Sequence, residues 1–76
     1  MPNTNYCTEL TDRELEILHR LAAGWNNQQI ASNLCITIRT VKYHTNHIYT
    51  KLDVTSRSQA IAWAWEHGVT ESLSQD

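Results

Sequence analysis

Five side chains near the middle of this 76-residue chain have types and spacing suited to gripping a polyanion: Arg39, Lys42, Tyr43, Asn46 and Thr50. They recur at i, i+3, i+4, i+7 and i+11, which lines one face of an α-helix. That face holds no carboxylate and no aliphatic side chain. Four of the five donate hydrogen bonds to anionic oxygens or base edges, and Tyr43 adds an aromatic ring. The opposite side carries Val41, Ile48 and Leu52 at i, i+7 and i+11, with Thr45 filling the gap. A helix with an apolar back and a cationic front fits the major groove of B-DNA, which is about 12 Å wide and accepts one such helix. Taken alone this pattern is weak, because most basic helix faces are merely solvated.

Charge distribution strengthens it. The formal net charge is −2, which by itself does not suit a nucleic-acid binder. The segment 37–57 nevertheless carries Arg39, Lys42, Lys51 and Arg57 against Asp53 alone, a net of +3. The flanking segments 1–36 and 58–76 carry −2 and −3. The positive charge is thus gathered where a binding helix is expected.

The surrounding elements must hold that helix on a scaffold. With one proline, two glycines and no phenylalanine, the chain favours short helices joined by tight turns. Thr11-x-x-Glu14 is a capping box that starts a first helix over 12–23, with Leu10 as the hydrophobic staple. Ile17, Leu18, Leu21 and Ala22 form its inward stripe, and Gly24 ends it. Trp25 is expected to plug the corner that follows. A short second helix over 27–34 is capped by Asn26, with Gln29 three residues on, and turns Ile30, Ala31 and Leu34 inward. Cys35-Ile36-Thr37 is a turn anchored by Ile36, and Thr37 caps the third helix, 38–52. A fourth helix, 57–67, starts at Ser56 with Gln59 as a second capping box and stops at Gly68. Its expected inward residues are Ile61, Ala64 and Trp65, after which Val69 folds back on the core. The expected fold class is all-α: a compact four-helix domain over 9–70, flanked by flexible tails at 1–8 and 71–76.

Other chemistry lacks parts. Cys7 and Cys35 are too few for a disulfide framework, and with His44 and His47 they do not follow structural-zinc spacing, so no metal and no cofactor is expected. Cys35 is expected as a small core residue and Cys7 as a free thiol. No histidine has a nucleophile and an orienting partner at recognisable spacing, and four short helices leave little room for a concave site, so the chain is not expected to be an enzyme. His44 is expected to be a structural histidine, hydrogen-bonded beneath the recognition face, and His47 to graze a phosphate. No apolar run reaches membrane-spanning length and the start lacks signal-peptide character, so a cytoplasmic protein is expected.

The residues resemble a known family. Leu10-Thr11-x-Arg13-Glu14-x-Glu16-Ile17-Leu18, Ala23-Gly24-x-x-Asn27-x-x-Ile30-Ala31-x-x-Leu34, Ile36-Thr37-x-Arg39-Thr40-Val41-Lys42-x-His44, Ile48-Tyr49-x-Lys51-Leu52-x-Val54 and Ser56-Arg57-x-Gln59-Ala60 are similar to the LuxR-type (GerE-like) DNA-binding domain of bacterial transcription regulators. The resemblance runs from Leu10 to about Val69. It implies a helix-turn-helix built from the second and third helices, with the fourth often mediating dimer contact on DNA. It also implies base contacts at Lys42, Tyr43 and Asn46, and phosphate contacts at Arg39, Thr40, Lys51 and Arg57, to which the residues themselves add Thr50 and His47. For Lys51 and Arg57, an ion pair with Asp53 or Glu14 is the structural rival. Three positions depart from the family pattern: Asp53 replaces the common glycine after Lys-Leu, Gln29 replaces the usual glutamate, and Trp63 and Trp65 are large for their places.

The expected function is sequence-specific binding of double-stranded DNA and regulation of transcription, as a homodimer, as the output part of a response system. Trp63 and Trp65 lie about 200° apart around a helix, so they cannot share one core. With Trp65 inward, the stripe Ala60, Trp63 and His67 is the candidate dimer contact; its rival is Trp63 lying flat on the first helix. The alternative function is a module that docks mainly on a protein partner, such as RNA polymerase, through the fourth helix. An amino-terminal sensory domain is a further expected partner.

Overall fold

The computed structural model describes residues 10–69. The expected tails at 1–8 and 71–76, and with them Cys7, lie outside these residues. Four helices follow in order: α1 (Asp12–Ala22), α2 (Asn27–Leu34), α3 (Ile38–Leu52) and α4 (Arg57–Glu66). No strand occurs among the described residues, so the all-α expectation holds.

Each helix begins where a side-chain oxygen relieves an orphan backbone N–H. Thr11 Oγ1 accepts from the Glu14 N–H at 3.1 Å while Glu14 Oε1 accepts from the Thr11 N–H at 3.0 Å. Asn26 and Gln29 make the same reciprocal pair at 2.8 and 2.9 Å. Thr37 Oγ1 accepts from the Thr40 N–H at 3.0 Å. At α4 the expected box is altered. Ser56 Oγ accepts from the Gln59 N–H, but the Gln59 amide oxygen reaches one residue further back, to the Thr55 N–H at 2.7 Å.

The core is assembled from one stripe per helix. Ile17, Leu18, Leu21 and Ala22 of α1 meet Ile30 and Ala31 of α2, Val41, Ile48 and Leu52 of α3, Ala60 and Ala64 of α4, and Val69. The inward stripes expected for α1 and α3 match. Leu34 and Ile36 are half-buried against the same core, as is Trp25 at its corner. α3 packs against all three other helices, while α4 packs principally on α1.

Two expectations are corrected. Trp65 points outward with 57% of its surface exposed, and the inward residues of α4 are Ala60 and Ala64, both 0% exposed. Ala60 is therefore closed to any partner. Trp63 is half-buried against the core, with the His67 ring stacked on it at 3.9 Å. The physical reason is that 60–65 is apolar throughout, so its pattern has no phase of its own. The phase is set by packing: alanines at i and i+4 let α4 approach α1 closely, and an indole in that seam would hold the helices apart. Cys35 is also exposed rather than buried. It occupies a left-handed conformation (φ 59°) that ends α2 and turns its side chain away from the core.

All four helices close in the same way, with a left-handed residue and a backbone bond from the next N–H back across the last turn. These bonds are Trp25 to Arg20, Ile36 to Ala31, Val54 to Tyr49 and Val69 to Ala64, all within 2.9–3.0 Å. The left-handed positions are Gly24, Cys35, Asp53 and Gly68. A side chain with a Cβ is strained there by roughly 1–2 kcal/mol, less for Asp than for Cys. Cys35→Gly is therefore expected to stabilise the domain by about 0.5–1 kcal/mol. Asp53→Gly should gain less, and urea unfolding midpoints of the two variants check the order.

Candidate nucleic-acid interface

The outer face of α3 is built by what its inner face and its ends fix. Val41, Thr45, Ile48 and Leu52 are buried, and Thr45 Oγ1 donates to the Lys42 carbonyl at 2.9 Å, so the hydroxyl enters the core satisfied. With that stripe inward, Arg39, Lys42, Tyr43, Asn46, His47 and Thr50 all stand exposed. The side chains of Arg39, Lys42 and Asn46 make no hydrogen bond or ion pair among the described residues, leaving their donors available. Thr50 donates to the Asn46 carbonyl at 3.1 Å, and Thr40 is half-buried beside the Thr37 hydroxyl at 2.9 Å. No acidic residue occupies the first turn of α3, so its amino end keeps a positive potential.

Lys51 and Arg57 behave differently. Lys51 Nζ donates to Glu14 Oε1 at 2.7 Å, and the Glu14 side chain is only 6% exposed. The rival expected for Lys51 is thus present. Arg57 spans to the α1–α2 corner, where it donates to Asn27 Oδ1 at 3.1 Å and to the Trp25 carbonyl. Neither cation pairs with Asp53. Both are braces, the first joining the start of α1 to the last turn of α3, the second joining the start of α4 to the start of α2. Sequence reading missed Glu14 as a buried residue. A glutamate one turn ahead of Ile17, in phase with the aliphatic stripe Ile17, Leu18 and Leu21 and already a rival partner for Lys51, was the available signal.

Around Tyr43 lies an aromatic cluster. Its ring sits 4.4 Å from that of His47, tilted by 46°, and meets His44 edge-on at 5.4 Å. His44 is half-buried beneath the face as expected, but its Nδ1 is fully buried without a hydrogen-bond partner. Nε2 is left as the ring's remaining hydrogen-bonding atom.

Elsewhere, an open groove of ≈ 570 Å³ runs along α2, lined by Trp25, Asn26, Gln28, Gln29, Ser32 and Asn33. None of these side chains supplies an acid or base near neutral pH. No group of three or more His, Cys, Asp or Glu suited to a metal ion occurs among the described residues. No helix among them is long and apolar enough to cross a membrane.

A short helix, a tight turn and a longer helix with a cationic outer face, held by two further helices, define a helix-turn-helix domain. Residues 8–64 match the family described as GerE: Bacterial regulatory proteins, luxR family, and the chain belongs to that family. Its class is therefore that of DNA-binding transcription regulation rather than catalysis. Among relatives, the response regulator protein VraR of Staphylococcus aureus (strain Mu3 / ATCC 700698) is 48% identical over 62 residues, covering 82% of this chain and 30% of the relative. The proteins of the same name from Staphylococcus saprophyticus and Staphylococcus epidermidis match to the same extent. The match thus spans under a third of these relatives' length.

The Glu14 brace has a pH signature. Burial works to raise the Glu14 carboxyl, but the bond from Lys51, the Thr11 N–H, the Lys51 charge and a smaller pull from His47 outweigh it. The carboxyl is held below its ordinary value, so it contributes stability that is fully present above the unfolded pKa of about 4.3. That stability is lost as pH falls through the lower folded value. His19 adds an earlier loss: burial, helped by the Arg20 charge and opposed by a Val69 backbone bond, lowers its pKa, so stability falls once pH drops below about 6.5. Glu14→Gln should cost about 1–3 kcal/mol at neutral pH. It should also flatten the stability–pH curve below pH ~4.5 while leaving the His19 limb in place, as followed by thermal unfolding across pH.

Proposed function

We propose that α3 enters the major groove of double-stranded DNA. Lys42, Tyr43 and Asn46 face base edges, and Arg39, Thr40 and Thr50 face phosphates. Lys51 and Arg57 offer phosphates only the donors their braces leave over. The observation that carries this reading is the state of the outer face: exposed, acid-free, and with the donors of Arg39, Lys42 and Asn46 unspent among the described residues. Lysine reaches the O6 and N7 acceptors of guanine, and asparagine suits adenine, so the face has the means to discriminate sequence.

The domain binds as a pair. Helix-turn-helix proteins place two recognition helices on half-sites about one helical turn apart. The surface proposed for pairing is Ile61, Ala62 and Trp65, at i, i+1 and i+4 of α4; of the stripe Ala60, Trp63 and His67, Ala60 is fully buried and the two rings are half-buried. Trp65 at 57% exposure is the anchor an interface would cover. The relatives' description as response regulators supports reading the chain as the output end of a sensory system. The second reading, docking on a protein such as RNA polymerase through α4, draws on the same exposed indole and on the net charge of −2.

Selection from a random duplex pool, followed by titration against salt, tests the first part. A defined sequence and a steep fall of affinity with salt are expected, close to 0.9 in log–log slope per phosphate neutralised. Lys42→Ala or Asn46→Ala should each cost about 1–3 kcal/mol and relax preference at one base pair. Arg39→Ala should weaken every sequence alike and reduce the slope by about 1. A shallow slope with no enriched sequence would sink the reading. For pairing, Trp65→Glu should convert two-copy binding on a two-site duplex to independent binding while sparing single half-site affinity. Unchanged stoichiometry, measured by sedimentation, would remove α4 from the contact and favour docking on another protein.

A further inference from the structure

Tyr43 is the one proposed base reader without a fixed charge or a forked amide, so its use depends on where its ring is held. An exposed tyrosine on a helix samples several rotamers, and a base edge distinguishes partners only when the ring is placed. Placement is provided from the same helix. His47, one turn on, lies against the Tyr43 ring at 4.4 Å and 46°, while His44 meets that ring edge-on at 5.4 Å. The His47 ring is itself committed to this contact with Tyr43. A ring engaged in this way is poorly placed to leave the helix for the DNA backbone.

We propose that His47 is a positioning residue that holds the Tyr43 ring for base reading by packing its tilted ring against it, instead of gripping a phosphate. The role rests on the proposal that Tyr43 meets DNA, and it goes further by assigning specificity to a side chain that touches no base. Ring packing needs an aromatic side chain but no charge, whereas a phosphate contact needs a donor but no ring. The two roles therefore separate on substitution.

The test uses the whole chain with His47→Ala, His47→Phe, His47→Lys and Tyr43→Ala. Each is titrated against the selected duplex and its single-base variants, and the Tyr43 ring protons are followed by NMR without DNA. His47→Ala is expected to reduce discrimination about two- to tenfold at the base pair that Tyr43→Ala also relaxes, and at no other. His47→Phe should restore it, His47→Lys should not, and the Tyr43 ring resonances should move in His47→Ala. Uniform weakening by His47→Ala with rescue by lysine overturns the role, as do ring resonances that stay in place. If no duplex is bound by the unaltered chain, the underlying reading fails. The resonances in free protein would then show separately whether the ring contact exists.

Discussion

One carboxylate oxygen holds the frame on which the rest depends. Glu14 Oε1 accepts both the Thr11 N–H, closing the start of α1, and the Lys51 ammonium, reaching across from the last turn of α3. Burying a lone carboxylate is costly, and this one is nearly closed off, so the acceptor must be filled from both sides. The lysine in turn suits the negative end of the α3 dipole. Helix start, helix end and interhelix angle thereby meet at one atom. The consequence for function is geometric: rotating α3 to present a different face would break this bond as well as the apolar stripe.

The cations of the central segment are divided between two tasks. Lys51 and Arg57 face inward to carboxylate, amide and carbonyl partners, and Arg39 and Lys42 face outward without partners among the described residues. A sum over sequence treats all four as one positive patch. Only half of that charge is free to meet a polyanion, and it lies on a single helix face. This explains how a chain of net charge −2 offers a cationic surface at all. The acidic excess lies elsewhere, and two of the four cations are consumed in aiming the other two.

What the sequence disclosed, and what it hid, follows the range of the forces involved. Helix starts were legible because capping pairs lie three residues apart, and α1 and α3 were legible because their apolar stripes have a clear period. The left-handed turn at Asp53, with φ 61°, follows from the tolerance of Asp for that conformation. The Glu14–Lys51 bond spans 37 residues of sequence, so it could be named as a rival to a phosphate contact but no local rule chose between them. The phase of α4 was hidden for a different reason. A helix apolar on every side gives no moment, and the outcome was decided by the small size of Ala60 and Ala64 against α1. Cys35 misled because its residue type favours burial while its position in the turn demands an unusual backbone angle. Among the candidate contacts, the face from Arg39 to Thr50 was legible as a set, and Glu14 was a named rival for Lys51, but the bonds of Arg57 to Asn27 and Trp25 were visible only in three dimensions.

The same backbone device at all four helix ends bears on how the interface works. Connectors closed by a bond across the last turn have little freedom, so α2 and α3 keep a set angle without a large core. Two of these closures place a side chain with a Cβ where glycine would sit unstrained. The strain at Cys35 falls in the turn just before the recognition helix. A rigid turn there spares the domain from ordering α3 on contact with a duplex, an entropy cost that a domain with so few buried residues is ill-placed to meet. Affinity then depends on a handful of side chains whose rotamers must themselves be held, by a brace at one end of the helix and by packed rings at its middle.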